Sequence, residues 1–405
     1  MAQSSADTKS APITSLDDLL IPYHQSIKPA SEFRIGAEAE KFGVDSVTAA
    51  AIPYEGERGV VAVLEALVER HGWAADYETP GGPLIALLRA GASVTLEPGG
   101  QLELSGAPLE NVHQICSEMS GHLAELRDIS SELGLTWLGV GFHPFAAQAD
   151  LSWVPKQRYA IMRRYLPTRG QYGLDMMRRT ATVQANFDYS SEAYAMRALK
   201  VALRLSPVTT AIFANSPFYE GRLFGGRSYR AKVWLSVDPD RQGLVPSVLA
   251  KGERFQDYIE WALDAPMFLI KRGNEVIENT GQSFRSFMKH GFRGHQPTLK
   301  DWETHINSLF PEVRLKRTLE VRGGDSLPAS LISEAGSESP PRTSSVRLRR
   351  TSGKSELMCV SQSLSVGWWP RKPCFMKLRK DCPVFSITSF PRLIRNIGAS
   401  RAHSM

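Results

Sequence analysis

The sequence predicts an α+β fold: a curved, mostly antiparallel sheet with helices on its apolar face and a polar, concave active face. Strand-like and helix-like segments alternate up to about Leu331. Five of the strand-like segments keep one face apolar and load the other with Glu, Gln, Asn or Arg. Two helical segments carry apolar residues at steps of three and four and stop at a glycine.

In chain order, FRIGAEAE sets Phe33, Ile35, Ala37 and Ala39 on one face and Arg34, Gly36, Glu38 and Glu40 on the other, so its two carboxylates project side by side ~7 Å apart. A helix follows over Gly59–His71, stopped by Gly72. In VTLEPGGQLELSG a Pro98-Gly99-Gly100 turn joins two short strands, with Glu97 and Glu103 opposing Leu96, Leu102 and Leu104. The longest helix runs over Leu109–Leu133, on Val112, Ile115, Met119, Leu123, Leu126 and Ile129, and ends at Gly134. Thr136–Phe142 reads as a buried strand. TATVQANFD presents Thr182, Gln184, Asn186 and Asp188; SYRAKVWLSV, read as a strand, presents Arg230 and Lys232; RLKRTLEVRG presents Lys316, Thr318, Glu320 and Arg322.

A lone Glu on a strand is ordinarily a solvated face. Five strands sharing the pattern point to a binding surface. Several Glu oxygens with an amide oxygen suit a hard divalent cation, and Mg²⁺ is usually held by one or two carboxylates together with substrate phosphates. Arg230 and Arg322 suit carboxylate or phosphate oxygens through paired charge-assisted hydrogen bonds, or else a structural ion pair with a neighbouring Glu. No G-x-x-x-x-G-K-[ST] loop, G-x-S-x-G elbow, H-E-x-x-H or C-x-x-C spacing competes, and His143 beside Pro144 reads as a loop residue rather than a ligand.

Composition bounds the class. Of 405 residues 42% are hydrophobic, enough for a sizeable core. The net charge of +6 is uneven: 13 Lys and Arg against 4 Asp and Glu lie in 333–405, leaving 35 against 38 for residues 1–332. A mildly acidic body argues against nucleic acid as a partner, and no apolar run reaches the ~18 residues of a membrane span. The first twenty residues lack the apolar middle of a signal peptide, so a cytoplasmic address is expected. Only Cys116 lies in the body, which allows no disulfide there. The expected organisation is a flexible segment 1–30, a catalytic domain 31–331, and a basic Ser/Arg/Pro-rich tail 332–405, either a natural disordered tail or a shifted reading frame.

These strands, with PKQRYAIMRRYLP, IFANSPFYEGR and FPEVRLKRTLEVRGGDSLP, resemble glutamate–cysteine ligases of the plant and proteobacterial type over Phe33–Leu331. The resemblance implies a glutamine-synthetase-like catalytic fold. It also implies ATP and Mg²⁺ as cofactors, glutamate and cysteine as substrates, and the first step of glutathione biosynthesis through a γ-glutamyl phosphate. Carried over to this chain, it implies Glu38, Glu40, Glu97, Glu103, Gln184 and Glu320 as cation ligands. Arg230 would grip the glutamate α-carboxylate, Asn186, beside Gln184, would also bind substrate, and Arg322 and Glu320 would act in catalysis. The chain departs from the family where the further helical portion gives way to the basic stretch after Leu331, and a disulfide switch is not expected with Cys116 alone. A truncated, non-catalytic interaction protein and a ligase using another acceptor amine are the alternatives.

Overall fold

The computed structural model describes residues 12–273 and 275–328, all within one compact unit, Met1–Gly336. The expectations for the tail 332–405 lie outside the described residues.

A nine-stranded sheet organises this unit. Its strands are β1 (Ile35–Asp45), β2 (Ala74–Tyr77), β3 (Leu84–Arg89), β4 (Ala92–Leu96), β5 (Leu102–Ser105), β6 (Leu135–Leu138), β7 (Thr182–Phe187), β10 (Val313–Leu315) and β11 (Leu319–Asp325), with a separate hairpin of β8 (Leu269–Arg272) and β9 (Glu275–Glu278). The order is β10-β11-β7-β1-β5-β4-β3-β2, with β6 on the far half of β1, and every pairing in it is antiparallel. The α+β expectation holds.

Helices α1 (Leu16–His24), α2 (Val60–His71), α3 (Val112–Leu133), α4 (Gln157–Tyr165), α5 (Gly173–Arg179), α6 (Glu192–Ile212), α7 (Tyr229–Trp234), α8 (Phe255–Asp264) and α9 (Leu299–Asn307) complete the part that bears on the site. The fully buried Ala39, Leu102 and Leu104 of the sheet pack with Leu64, Met119 and Leu126 of α2 and α3. Leu319 and Leu315 pack with Leu199 and Leu203 of α6. Burying one face of each strand this way directs the alternate residues to the other side.

The helix expected from Leu109 begins at Val112, because the Asn111 side chain accepts from the backbone N–H of His113 and Gln114 at 3.1 Å and caps it. Leu109 instead exchanges backbone hydrogen bonds with Ile35. The helices end on Gly72 and Gly134 in left-handed conformation, as expected. The strand expected over Thr136–Phe142 runs instead over Leu135–Leu138; beyond it the chain at Leu327 passes so close to Gly139 that a side chain there would strike its carbonyl. Within the segment 1–30, expected to be flexible, residues 16–24 form α1; Leu19 and Tyr23 are 0% and 2% exposed. Asp18 accepts from the backbone N–H of Ser15 at 2.9 Å and fixes the start of this helix. SYRAKVW is helix α7, not strand: the Ser228 hydroxyl accepts from the Ala231 N–H at 3.0 Å, and Tyr229 and Val233, four apart, share the buried face. Among the described residues no helix is long and apolar enough to cross a membrane.

Candidate active site

The polar face of the central strands forms one wall of a cavity of about 450 Å³. Glu38, Glu40, Glu97, Glu103, Gln184, Arg230, Glu320 and Arg322 all line it. Asn186 does not. Its amide donates to Glu38 Oε1 at 2.7 Å and its oxygen accepts from Thr318 Oγ1 at 3.1 Å, so it orients Glu38 from outside.

Strand register makes one half of the cavity acidic. Glu38 stands opposite Gln184 and Ser105, and Glu40 opposite Glu103, a like-charge cross-strand pair that ordinarily destabilises a sheet. Glu97 joins them from the β4–β5 turn. Gly99 is required in that turn, since a Cβ there would lie 2.5 Å from the Arg178 carbonyl oxygen. Gln101 pins the turn, accepting from Gly99 N–H at 2.9 Å and donating to Thr180 O at 2.8 Å. Burial, then Glu97, pushes the Glu40 carboxyl up to about 8, despite a 3.0 Å hydrogen bond from Thr182 N–H. Burial, then Glu38 and Glu97, raises Glu103 well above the usual carboxylate range, against a 2.7 Å bond from Thr95 Oγ1. Four carboxylates gathered at this electrostatic cost form a donor set that a cation would relieve. Among the described residues no group of three or more His, Cys, Asp or Glu side chains is arranged to hold a metal ion.

The other half is cationic and corrects two expectations. Glu320, fully buried, receives Arg314 Nε and Nη2 at 2.6 and 3.1 Å, Lys316 Nζ at 2.7 Å and Arg322 Nη1 at 3.0 Å. Both its oxygens are thus committed to cations. Burial alone would raise its carboxyl, yet Arg314, then Arg322 and Lys316, hold it well below the usual range. Glu320 is therefore a hub for side-chain cations, with neither oxygen left unpaired for the metal expected there. Gln184 likewise gives its Oε1 to Arg322 Nη1 at 2.8 Å instead of facing a metal. Arg322 is ion-paired with Glu320, as its other reading expected, while still lining the cavity. Among the described residues the Arg230 guanidinium, 4% exposed, donates to one acceptor, the Arg322 carbonyl, through Nη2 at 3.0 Å, lies 5.6 Å from the Trp234 ring centre, and has no partner at Nε.

Further functional side chains had no assignment from sequence. Arg158 on α4 and Lys271 on β8 line the cavity, and neither pairs with a carboxylate among the described residues. Lys156 Nζ and Tyr159 Oη both donate to the Leu96 carbonyl, at 2.9 and 2.8 Å, and so tether α4 to the strand end that carries Glu97. The PKQRY run holds this signal, but its helical period conceals which side chains reach the sheet. Trp234, Phe268 and Phe310 close the far end, the indole meeting the Phe310 ring edge-on at 6.0 Å. His143 is a buried loop residue outside the cavity, as expected.

The family model for glutamate–cysteine ligase family 2 matches residues 34–335. Glutamate–cysteine ligase B, chloroplastic, of Oryza sativa subsp. japonica is 45% identical over 315 residues, 77% of this chain and 62% of that protein. The chloroplastic glutamate–cysteine ligase of Arabidopsis thaliana is 43% identical over 315 residues, 77% of this chain and 59% of that protein. The chain thus spans about three fifths of the length of these relatives. A solved glutamate–cysteine ligase from Francisella tularensis, in complex with AMP, superposes with a TM-score of 0.44 at 12% identity over 72% of this chain and 60% of that one, a likeness too slight to carry an inference. The expected cytoplasmic address is overturned, because the curated relatives are named chloroplastic. A missing apolar signal region does not bear on plastid import, whose transit segments are Ser-rich and short of acid rather than apolar.

Proposed function

The chain belongs to glutamate–cysteine ligase family 2, and from that premise we propose that its cavity joins glutamate to cysteine at the expense of ATP, the first step of glutathione biosynthesis. The observation that carries this reading is the meeting, in one cavity, of four clustered carboxylates with Arg158, Arg230 and Lys271, none of which holds an ion pair with a carboxylate among the described residues.

Glu38, Glu40, Glu97 and Glu103 fit a divalent cation by donor type and charge. Mg²⁺ bound there would offset the charge of the triphosphate. Arg230 takes the α-carboxylate of glutamate, its buried guanidinium being aimed into the cavity with an unpartnered Nε. Arg322, braced by Glu320 and Gln184, presents a fixed positive charge toward the transferred phosphoryl group. Asn186 orients Glu38. With these groups in place, the side-chain carboxylate of glutamate attacks the γ-phosphorus of ATP and breaks its bond to the β–γ bridging oxygen, releasing ADP; the cysteine amine then attacks the acyl carbon of the γ-glutamyl phosphate, losing a proton and expelling phosphate.

Purified chain with ATP, Mg²⁺ and glutamate should release phosphate when cysteine is added. Release without dependence on cysteine but with another amine would shift the acceptor. A folded chain giving no release with any amine would favour a non-catalytic relative.

The acidic half also sets a pH dependence. With the Glu40 carboxyl near 8 in the cation-free chain, that group is protonated at neutral pH and must ionise to hold a cation. Mg²⁺ affinity should rise with pH through about 8, and binding at pH 7 should release protons, because the Glu103 carboxyl is raised as well. Calorimetric titration in buffers of different ionisation heat reads this directly. Identical heats in all of them would refute the assignment of Glu40.

A further inference from the structure

We propose that Asp325 is a positioning residue that sets the place and direction of the Arg230 guanidinium, an inference resting on the proposed role of Arg230 in taking glutamate.

Helix α7 has only six residues, too few to hold its own geometry, and its first N–H groups need acceptors. Two serine hydroxyls supply them. Ser216 Oγ accepts from the Arg230 N–H at 3.2 Å, and Ser228 Oγ accepts from the Ala231 N–H at 3.0 Å. Both hydroxyls then donate to one carboxylate, Ser216 to Asp325 Oδ2 at 2.7 Å and Ser228 to Asp325 Oδ1 at 2.8 Å. Asp325 Oδ2 also accepts from the Asn215 N–H at 2.8 Å, which fixes the strand leading to Ser216. The carboxylate is fully buried, and room for it exists because Gly141 has no side chain to fill the space.

The same strand holds the far end of Arg230. A register shift in β11 between Val321 and Gly324 turns the Arg322 carbonyl out of the ladder, where it accepts from Arg230 Nη2 at 3.0 Å. Arg230 is therefore held at its backbone through Asp325 and at its tip by the bulge three residues before it. Burial pulls the guanidinium down, and Asp325 is the charge that opposes this most. A carboxylate that neither faces the cavity nor pairs with the basin cations thus decides where the substrate-facing cation sits.

Asp325→Asn and Ser228→Ala should each raise the glutamate KM about tenfold while leaving the ATP KM within about twofold, and Ser228→Thr, which keeps the hydroxyl, should restore the wild-type value. Unchanged glutamate KM in both variants overturns the inference, as does a parallel loss of affinity for glutamate and ATP that tracks the folded fraction. Should Asp325→Asn fail to fold, the Ser228→Ala and Ser228→Thr pair decides alone. Calorimetric binding of glutamate to the full chain separates this inference from the reading beneath it. A wild-type chain that binds glutamate about tenfold more tightly than Ser228→Ala yet never turns over defeats the ligase and leaves the positioning role standing.

Discussion

Replacing Glu320 by glutamine is expected to cost about 3–5 kcal/mol of folding stability, the usual penalty for removing one member of a buried ion pair. Glu320 is 0% exposed and draws together Arg314, Lys316 and Arg322. Glutamine accepts through one oxygen and carries no charge, so three cations are left crowded around a neutral amide. Arg314, itself 7% exposed, has no way to reach bulk water. The urea midpoint of the variant reads the loss, and a loss under about 1 kcal/mol would mean that the cations relax apart. The sign with pH is fixed by the direction of the shift. A carboxyl held low in the fold contributes stability that is complete above its ordinary value of 4.5 and is lost as pH falls through its folded value, so the deficit of the variant should shrink only in acid below that point. This result concerns the fold and does not depend on what the cavity binds.

Removing the Arg230 side chain is expected to act on function instead. In Arg230→Ala the substrate α-carboxylate enters the cavity with no partner, a loss of about 3 kcal/mol or roughly a hundredfold in glutamate KM. The ATP KM should change by less than about threefold, because the acidic quartet and Arg322 are untouched. Arg230→Lys should recover only part of the loss, since an ammonium keeps the charge but not the forked geometry. Equal losses toward both substrates would place the guanidinium on the phosphates and not on the amino acid. The contrast with Arg322 is instructive. Arg322 spends Nη1 on Gln184 and Glu320, whereas Arg230 gives one bond to a backbone oxygen and keeps Nε unpartnered.

Much of this was legible in the chain. Glu38, Glu40, Gln184, Glu320 and Arg322 were found because alternation on a strand assigns each residue a face without knowledge of its neighbours, and all of them line one cavity. The same rule failed for SYRAKVW. A helix of six residues is too short to show its period, and only the cap at Ser228 distinguishes it from a strand. The expectation of a flexible segment 1–30 failed at residues 16–24, whose helix packs Leu19 and Tyr23 against distant elements. Arg158 and Lys271 went unassigned because a helix and a separate hairpin bring them to the cavity from outside the sheet.

What the sequence determined by itself, then, was which side chains share a face: the period of a strand is local, and burial of one face fixes the other. Which of those side chains would be free for a ligand was decided only in three dimensions. Glu320 and Gln184 carry the chemistry of cation ligands, but antiparallel register sets Arg314 and Arg322 beside them, and their oxygens are already taken. Glu40 and Glu103 carry the same chemistry, and register sets them against each other, so that burial and like charge raise both carboxyls despite Arg230 and Arg322 acting on Glu40. Whether a charge is spent or available is a property of the distances between strands far apart in the chain, and no local pattern contains it.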